Sequence, residues 1–124
     1  CSSCHGGFNF TNYQFENNGL EEQYRDMGRL IFTNDSADAS LFKVPSLRNV
    51  SLTAPYMHDG RFQSLQEVIE HYNSGGKNHP NKSHLVKALQ LADDEKRDLI
   101  SFLNSLSDHE FVSNPRWSDP NSKQ

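Results

Sequence analysis

A mostly α fold, with a few helices set among long irregular loops, is what this sequence of 124 residues predicts. Three observations carry the prediction. Two segments, at 64–73 and from Asp93 to Leu106, place apolar side chains at helical spacing behind recognisable start signals. An apolar content of 34% and a mean hydropathy of -0.80 make a lean core, so something apolar that is not protein is expected at its centre. The chain also opens on "CSSCHGG", two cysteines and a histidine at C-x-x-C-H spacing. The length suits one domain.

Cys1, Cys4 and His5 match the attachment sequence for haem c. Two thiols add covalently to the vinyl groups, and the adjacent imidazole becomes the proximal iron ligand. The spacing suits a short helical turn. A redox dithiol, half a zinc site and a surface accident are the competing readings. A dithiol does not need the histidine, and zinc would need two more ligands from the other five histidines, since no cysteine remains. Cysteines this close cannot staple distant parts of a chain, which excludes a disulfide framework. Covalent haem implies an exported, oxidising or periplasmic setting, with any export signal upstream. A buried porphyrin would also fill the lean core.

Residues 8 to 43 are polar and rich in Asn, Asp and Gly, with aromatics that follow neither helical nor alternating period. An extended wrap is expected there. "FKVPSLRNVSLTAPYMHDGRF" holds Pro45 and Pro55 and should be irregular. Ser64 with Glu67 forms a capping box ahead of Leu65, Val68, Ile69 and Tyr72, and Gly75 and Gly76 end that helix. The short apolar stretch Leu85 to Leu91 is predicted helical. Behind an acidic first turn, Asp93 to Glu95, a further helix carries Leu99, Phe102, Leu103 and Leu106. The tail from Phe111 keeps only a few apolar anchors and should lie on the surface.

The formal charge of -4 comes from 16 acidic and 12 basic residues with no basic cluster, so nucleic acid is not an expected partner. No run approaches the ~20 apolar residues of a membrane span. Arg48 and Arg61 could each bind a haem propionate bidentately. His58 beside Asp59 reads as structural, and His79, His84 and His109 as solvated. For the sixth iron position, residue types alone favour Met57, because Met27, the other methionine, lies in the polar wrap.

With the opening motif, the block from Phe42 to Gly76, "NNGL" at 17–20 and "DMGR" at 26–29 make the chain resemble the C-terminal haem domain of the bacterial di-haem cytochrome c peroxidases and their MauG-like relatives. The resemblance covers nearly the whole chain. It implies a cytochrome c-like haem domain over 1–110, the C-terminal half of a di-haem enzyme truncated at its N-terminus by loss of a preceding helix, with 111–124 as a surface tail. It implies Tyr72 as the distal iron ligand, with Met57 and His71 as alternatives. The backbone carbonyls of Thr53 and Pro55 would supply part of a calcium site shared with the N-terminal haem domain. The implied task is electron transfer from a small donor protein, a cytochrome or cupredoxin, toward hydrogen peroxide at the other haem, with the isolated chain inactive alone. MauG-like oxidation of a protein substrate and a stand-alone mono-haem carrier are the alternatives.

Overall fold

The structure is a computed structural model that describes residues 1–121; the last part of the predicted tail, 122–124, lies outside the described residues. Its frame is two helices, Leu65–Ser74 and Asp93–Ser105, and the chain before them is mostly loop. A first turn at 1–5 leads into the irregular wrap. There β1 (Phe15–Glu16) pairs antiparallel with β2 (Phe42–Lys43), Phe15 opposite Lys43 and Glu16 opposite Phe42. Between them lie α1 (Leu30–Thr33) and a 3-10 turn at Ser36–Asp38. A second 3-10 turn, Val50–Leu52, interrupts the Pro-containing block, which is otherwise irregular as expected.

The helix α2 (Leu65–Ser74) begins where the sequence signals it. The Ser64 hydroxyl accepts from the Glu67 N–H at 3.3 Å, and the Glu67 carboxylate accepts from the Ser64 N–H at 2.9 Å. The Ser64 hydroxyl, followed by the Gln63 and Ser64 N–H groups, donates to the Glu67 carboxylate and holds it below its ordinary range. Gly75 ends the helix at φ +82, where a Cβ would stand 2.5 Å from the Ala88 nitrogen. Ser64→Ala should cost about 1 kcal/mol through loss of the cap, read as a lower urea midpoint at unchanged slope.

The helix α3 (Asp93–Ser105) packs Leu103 against Leu65 and Ile69 of α2. Leu47, Val50, Tyr56, Leu99, Ile100 and Leu106 close around them. Glu95 accepts from the Ala92 N–H at 2.8 Å, which ties down the helix start that the acidic run marks. Phe102, expected in this core, is 49% exposed instead and meets Phe10 edge-on at 6.5 Å. The stripe facing α2 runs through Leu99 and Leu103, and Phe102 falls on the flank that faces Phe10.

The Leu85–Leu91 stretch is not helical. Its backbone donors turn to Asn73 at the end of α2: Leu89 N–H to the Asn73 carbonyl at 3.1 Å and Leu91 N–H to its side chain at 2.8 Å. A seven-residue apolar run without a cap cannot outcompete partners already in place. The tail carries α4 (His109–Ser113) and a 3-10 turn at Pro115–Trp117, with Phe111, Val112 and Trp117 exposed. With α-helices of 4, 10, 13 and 5 residues, loops exceed helix, so the expected mostly α class holds only in that helix outweighs sheet.

The accessible surface is 8597 Å², against roughly 6,800 Å² for a compact monomer of this mass. Only Leu20, Val44, Leu65, Ile69 and Leu103 are buried hydrophobic side chains among the described residues. The protein core is as lean as the composition predicts. No helix among the described residues is long and apolar enough to cross a membrane.

Candidate cofactor site

The opening motif folds as one turn. Cys4 N–H and His5 N–H both donate to the Cys1 carbonyl, at 3.1 and 2.8 Å, so both thiols and the imidazole project from a single helical loop. Both cysteines are free thiols. Burial pushes the Cys4 thiol up, with Glu16 adding to it and the terminal amine opposing. Asn12 N–H donates to the Cys4 carbonyl at 2.8 Å and fastens the turn to the wrap.

His5 is held by its Nδ1, which donates to the Phe10 carbonyl at 3.0 Å. A carbonyl only accepts, so this bond puts a proton on Nδ1, the arrangement in which Nε2 is the nitrogen a metal would take; the Pro45 carbonyl is a second backbone partner of the ring. Burial lowers its pKa most, against the opposing pull of the Phe10 carbonyl. His71 is likewise lowered by burial. A folded chain that resists protonation at both imidazoles binds fewer protons than the unfolded one below about pH 6.5. The haem-free chain should therefore lose stability as pH falls through that value and be indifferent to these groups above it. Urea midpoints at pH 8 and pH 5.5 test this, with the lower midpoint expected in acid.

Burial pushes up the pKa of the Tyr72 hydroxyl, in the last turn of α2, against the opposing hydrogen bond from Asn18. Asn18 lies between two candidate ligands. Its Nδ2 donates to the Met57 sulfur at 3.3 Å and to the Tyr72 hydroxyl at 3.4 Å. Its backbone carbonyl accepts from His71 Nε2 at 3.0 Å. The structure thus gathers Tyr72, Met57 and His71, all expected at the sixth iron position, around one asparagine. Met57 has φ +73, a left-handed conformation that costs a non-glycine residue roughly 1–2 kcal/mol. Asn18 and Asn17 are the residues that sequence reasoning missed; "NNGL" was the signal, without chemistry to give it a role.

The other expected residues lie apart from that cluster. The Arg48 Nη2 donates to the Phe8 carbonyl at 2.8 Å, and its guanidinium sits 4.3 Å over the Phe8 ring. Arg61 is committed to the carboxylates of Asp59 and Glu21. Asp59 consequently pairs with Arg61, not with His58, which stacks on Phe42 at 3.8 Å. His79, expected to be solvated, is half-buried, with Nδ1 facing the Asn17 amide at 3.3 Å and the Asn81 N–H at 3.1 Å. Thr53 and Pro55 are exposed, and the Thr53 hydroxyl donates to the Val50 carbonyl at 3.0 Å. No cluster of three or more His, Cys, Asp or Glu side chains suited to a metal occurs among the described residues.

These residues fit a covalently held haem. The two thiols and the imidazole leave one turn, candidate sixth ligands gather around Asn18, and apolar rings stay accessible, Phe8 at 83% and Phe102, which meets Phe10, at 49% exposed. A flat apolar group covering such rings removes surface of the kind present in excess here.

No family model matches the chain. Methylamine utilization protein MauG of Methylorubrum extorquens is 40% identical over 108 residues, 86% of this chain and 30% of its own length. Cytochrome-c peroxidase IdrP1 of a Pseudomonas strain is 47% identical over 91 residues, 70% of this chain and 24% of its own length. The crystal structure of a MauG-like protein associated with microbial copper homeostasis matches with a TM-score of 0.88 at 35% identity, over 97% of this chain and 46% of that one. The chain spans less than a third of the length of either curated relative.

Proposed function

From its homology, over most of its length, to MauG and the bacterial cytochrome c peroxidases, we propose that the chain is a c-type haem domain of a peroxidase-like oxidoreductase. The observation that carries the proposal is the Cys1–His5 turn, with two free thiols and an imidazole whose Nδ1 is already bonded. Bound there, haem would supply a one-electron iron couple. Cys1 and Cys4 would tether it, and His5 would hold the iron through Nε2, oriented by the Phe10 carbonyl. Tyr72 is the proposed distal ligand, with Met57 and His71 behind it; His71 Nε2 is already spent on the Asn18 carbonyl. Arg48, exposed and turned onto the Phe8 carbonyl and ring, is the better propionate partner; Arg61 is held by two acids.

The domain's role would be to take electrons from a small cytochrome or cupredoxin and pass them to an N-terminal haem domain of the same protein, where hydrogen peroxide is reduced. The setting would be the periplasm. The exposed Thr53 and Pro55 carbonyls would face that second domain as part of a calcium site. A MauG-like use of peroxide on a protein substrate is the second reading, favoured by a tyrosine at position 72 and by the 40% identity to MauG. Loaded with haem and mixed with a reduced donor protein, the chain should accept one electron per iron and leave added peroxide unconsumed. Catalytic consumption of peroxide by the isolated chain would overturn the electron-transfer role.

A further inference from the structure

The geometry points to Asn18 as a positioning residue that retains the Met57 sulfur and so leaves the sixth iron position to Tyr72. The inference rests on the haem reading above and names what decides between two of its candidate ligands. A carboxamide nitrogen has two protons, and here they meet two acceptors that compete for the same metal. The contacts are unequal. At 3.3 Å the N–H to Met57 sulfur distance is close for so large an acceptor, whereas 3.4 Å to the Tyr72 oxygen is beyond the usual range for an N–H to oxygen bond. The amide holds the thioether closely and the hydroxyl by a longer, weaker bond.

Two further features keep Asn18 and Met57 where they are. The Asn18 backbone is clamped to the end of α2: its carbonyl accepts from His71 Nε2, and a Cβ on Gly76 would stand 2.8 Å from that carbonyl oxygen. Met57 is held from the other side by its left-handed backbone, a conformation a side chain of this size keeps only where its surroundings impose it. Moving the sulfur onto a metal would break its contact with an amide that cannot follow. Moving the Tyr72 oxygen would give up only the longer of the two contacts.

Asn18→Ala and Asn18→Asp remove the donor, the second with little change of shape. In the haem-free chain labelled at the methionine methyls with carbon-13, Asn18→Asp should shift the Met57 resonance and leave Met27 unmoved. An unmoved Met57 resonance would overturn the contact. In the haem-loaded chain, the wild type should show a phenolate-to-iron charge-transfer band, and both variants should gain a thioether-to-iron band at its expense. Adding Met57→Leu to Asn18→Ala should restore the wild-type spectrum, a rescue that a merely misfolded variant would not give. A phenolate band that persists unchanged in both Asn18 variants sinks the selection alone. A wild type without that band, unaltered by Tyr72→Phe, sinks the ligand assignment beneath it.

Discussion

Replacing Cys1 and Cys4 together by alanine should abolish all pigment that survives denaturation, in a chain exported and matured alongside haem c assembly enzymes. The wild type should keep its Soret absorption through denaturant and organic extraction, because thioether bonds do not depend on folding. The double variant retains His5 and the exposed Phe8 and Phe102 rings, so it can at most hold porphyrin reversibly. His5→Ala separates the two roles: pigment should stay attached while the spectrum loses its proximal-imidazole character. A colourless wild type from competent cells would remove the foundation of the functional assignment. The measurement also bears on stability, since haem that binds only the folded chain shifts the folding equilibrium toward it.

Ile69→Ala should be the most damaging substitution outside the motif. Ile69 is 4% exposed and sits with Leu65 and Leu103 at the contact of α2 and α3. Truncating a buried isoleucine costs about 2–5 kcal/mol, from lost transfer energy and the cavity left behind. Whole domains have about 5–15 kcal/mol in hand, and this one has few buried apolar side chains to spread the loss over. Urea unfolding should show a large fall in midpoint. Leu89→Ala, at a position with 41% exposure, should change stability by about 0.5 kcal/mol or less. A loss at Ile69 as small as that at Leu89 would mean that the α2–α3 contact does not carry the fold.

The elements legible in the sequence were those governed by local chemistry. Ser64 and Glu67 announce α2 because a capping box needs only residues three apart, and Gly75 closes it because the left-handed turn there suits glycine. The Cys1–His5 turn is legible for the same reason. What stayed hidden depends on partners far along the chain. Leu85–Leu91 looks helical until Asn73 takes its backbone donors, and Phe102 looks buried until its flank is seen to face Phe10. Arg61 reads as an open guanidinium because Glu21, forty residues earlier, gives no local sign of pairing with it. Asn18 carries no signal of its own, since an asparagine amide acquires a role only from the two acceptors that folding brings to it.

Asn17 has 0% exposure and spends its side chain on four groups: its oxygen on the Gly19 N–H and the Tyr24 hydroxyl, its nitrogen on the Ser40 carbonyl and His79. Irregular segments commonly tolerate inserted residues. Here an insertion between 17 and 24, or between 24 and 40, would have to bulge outward without displacing either end, since both ends are pinned to one amide. Length variation among relatives should accordingly gather at exposed tips such as Glu22 and Thr33–Ser36, and spare the stretches that return to Asn17.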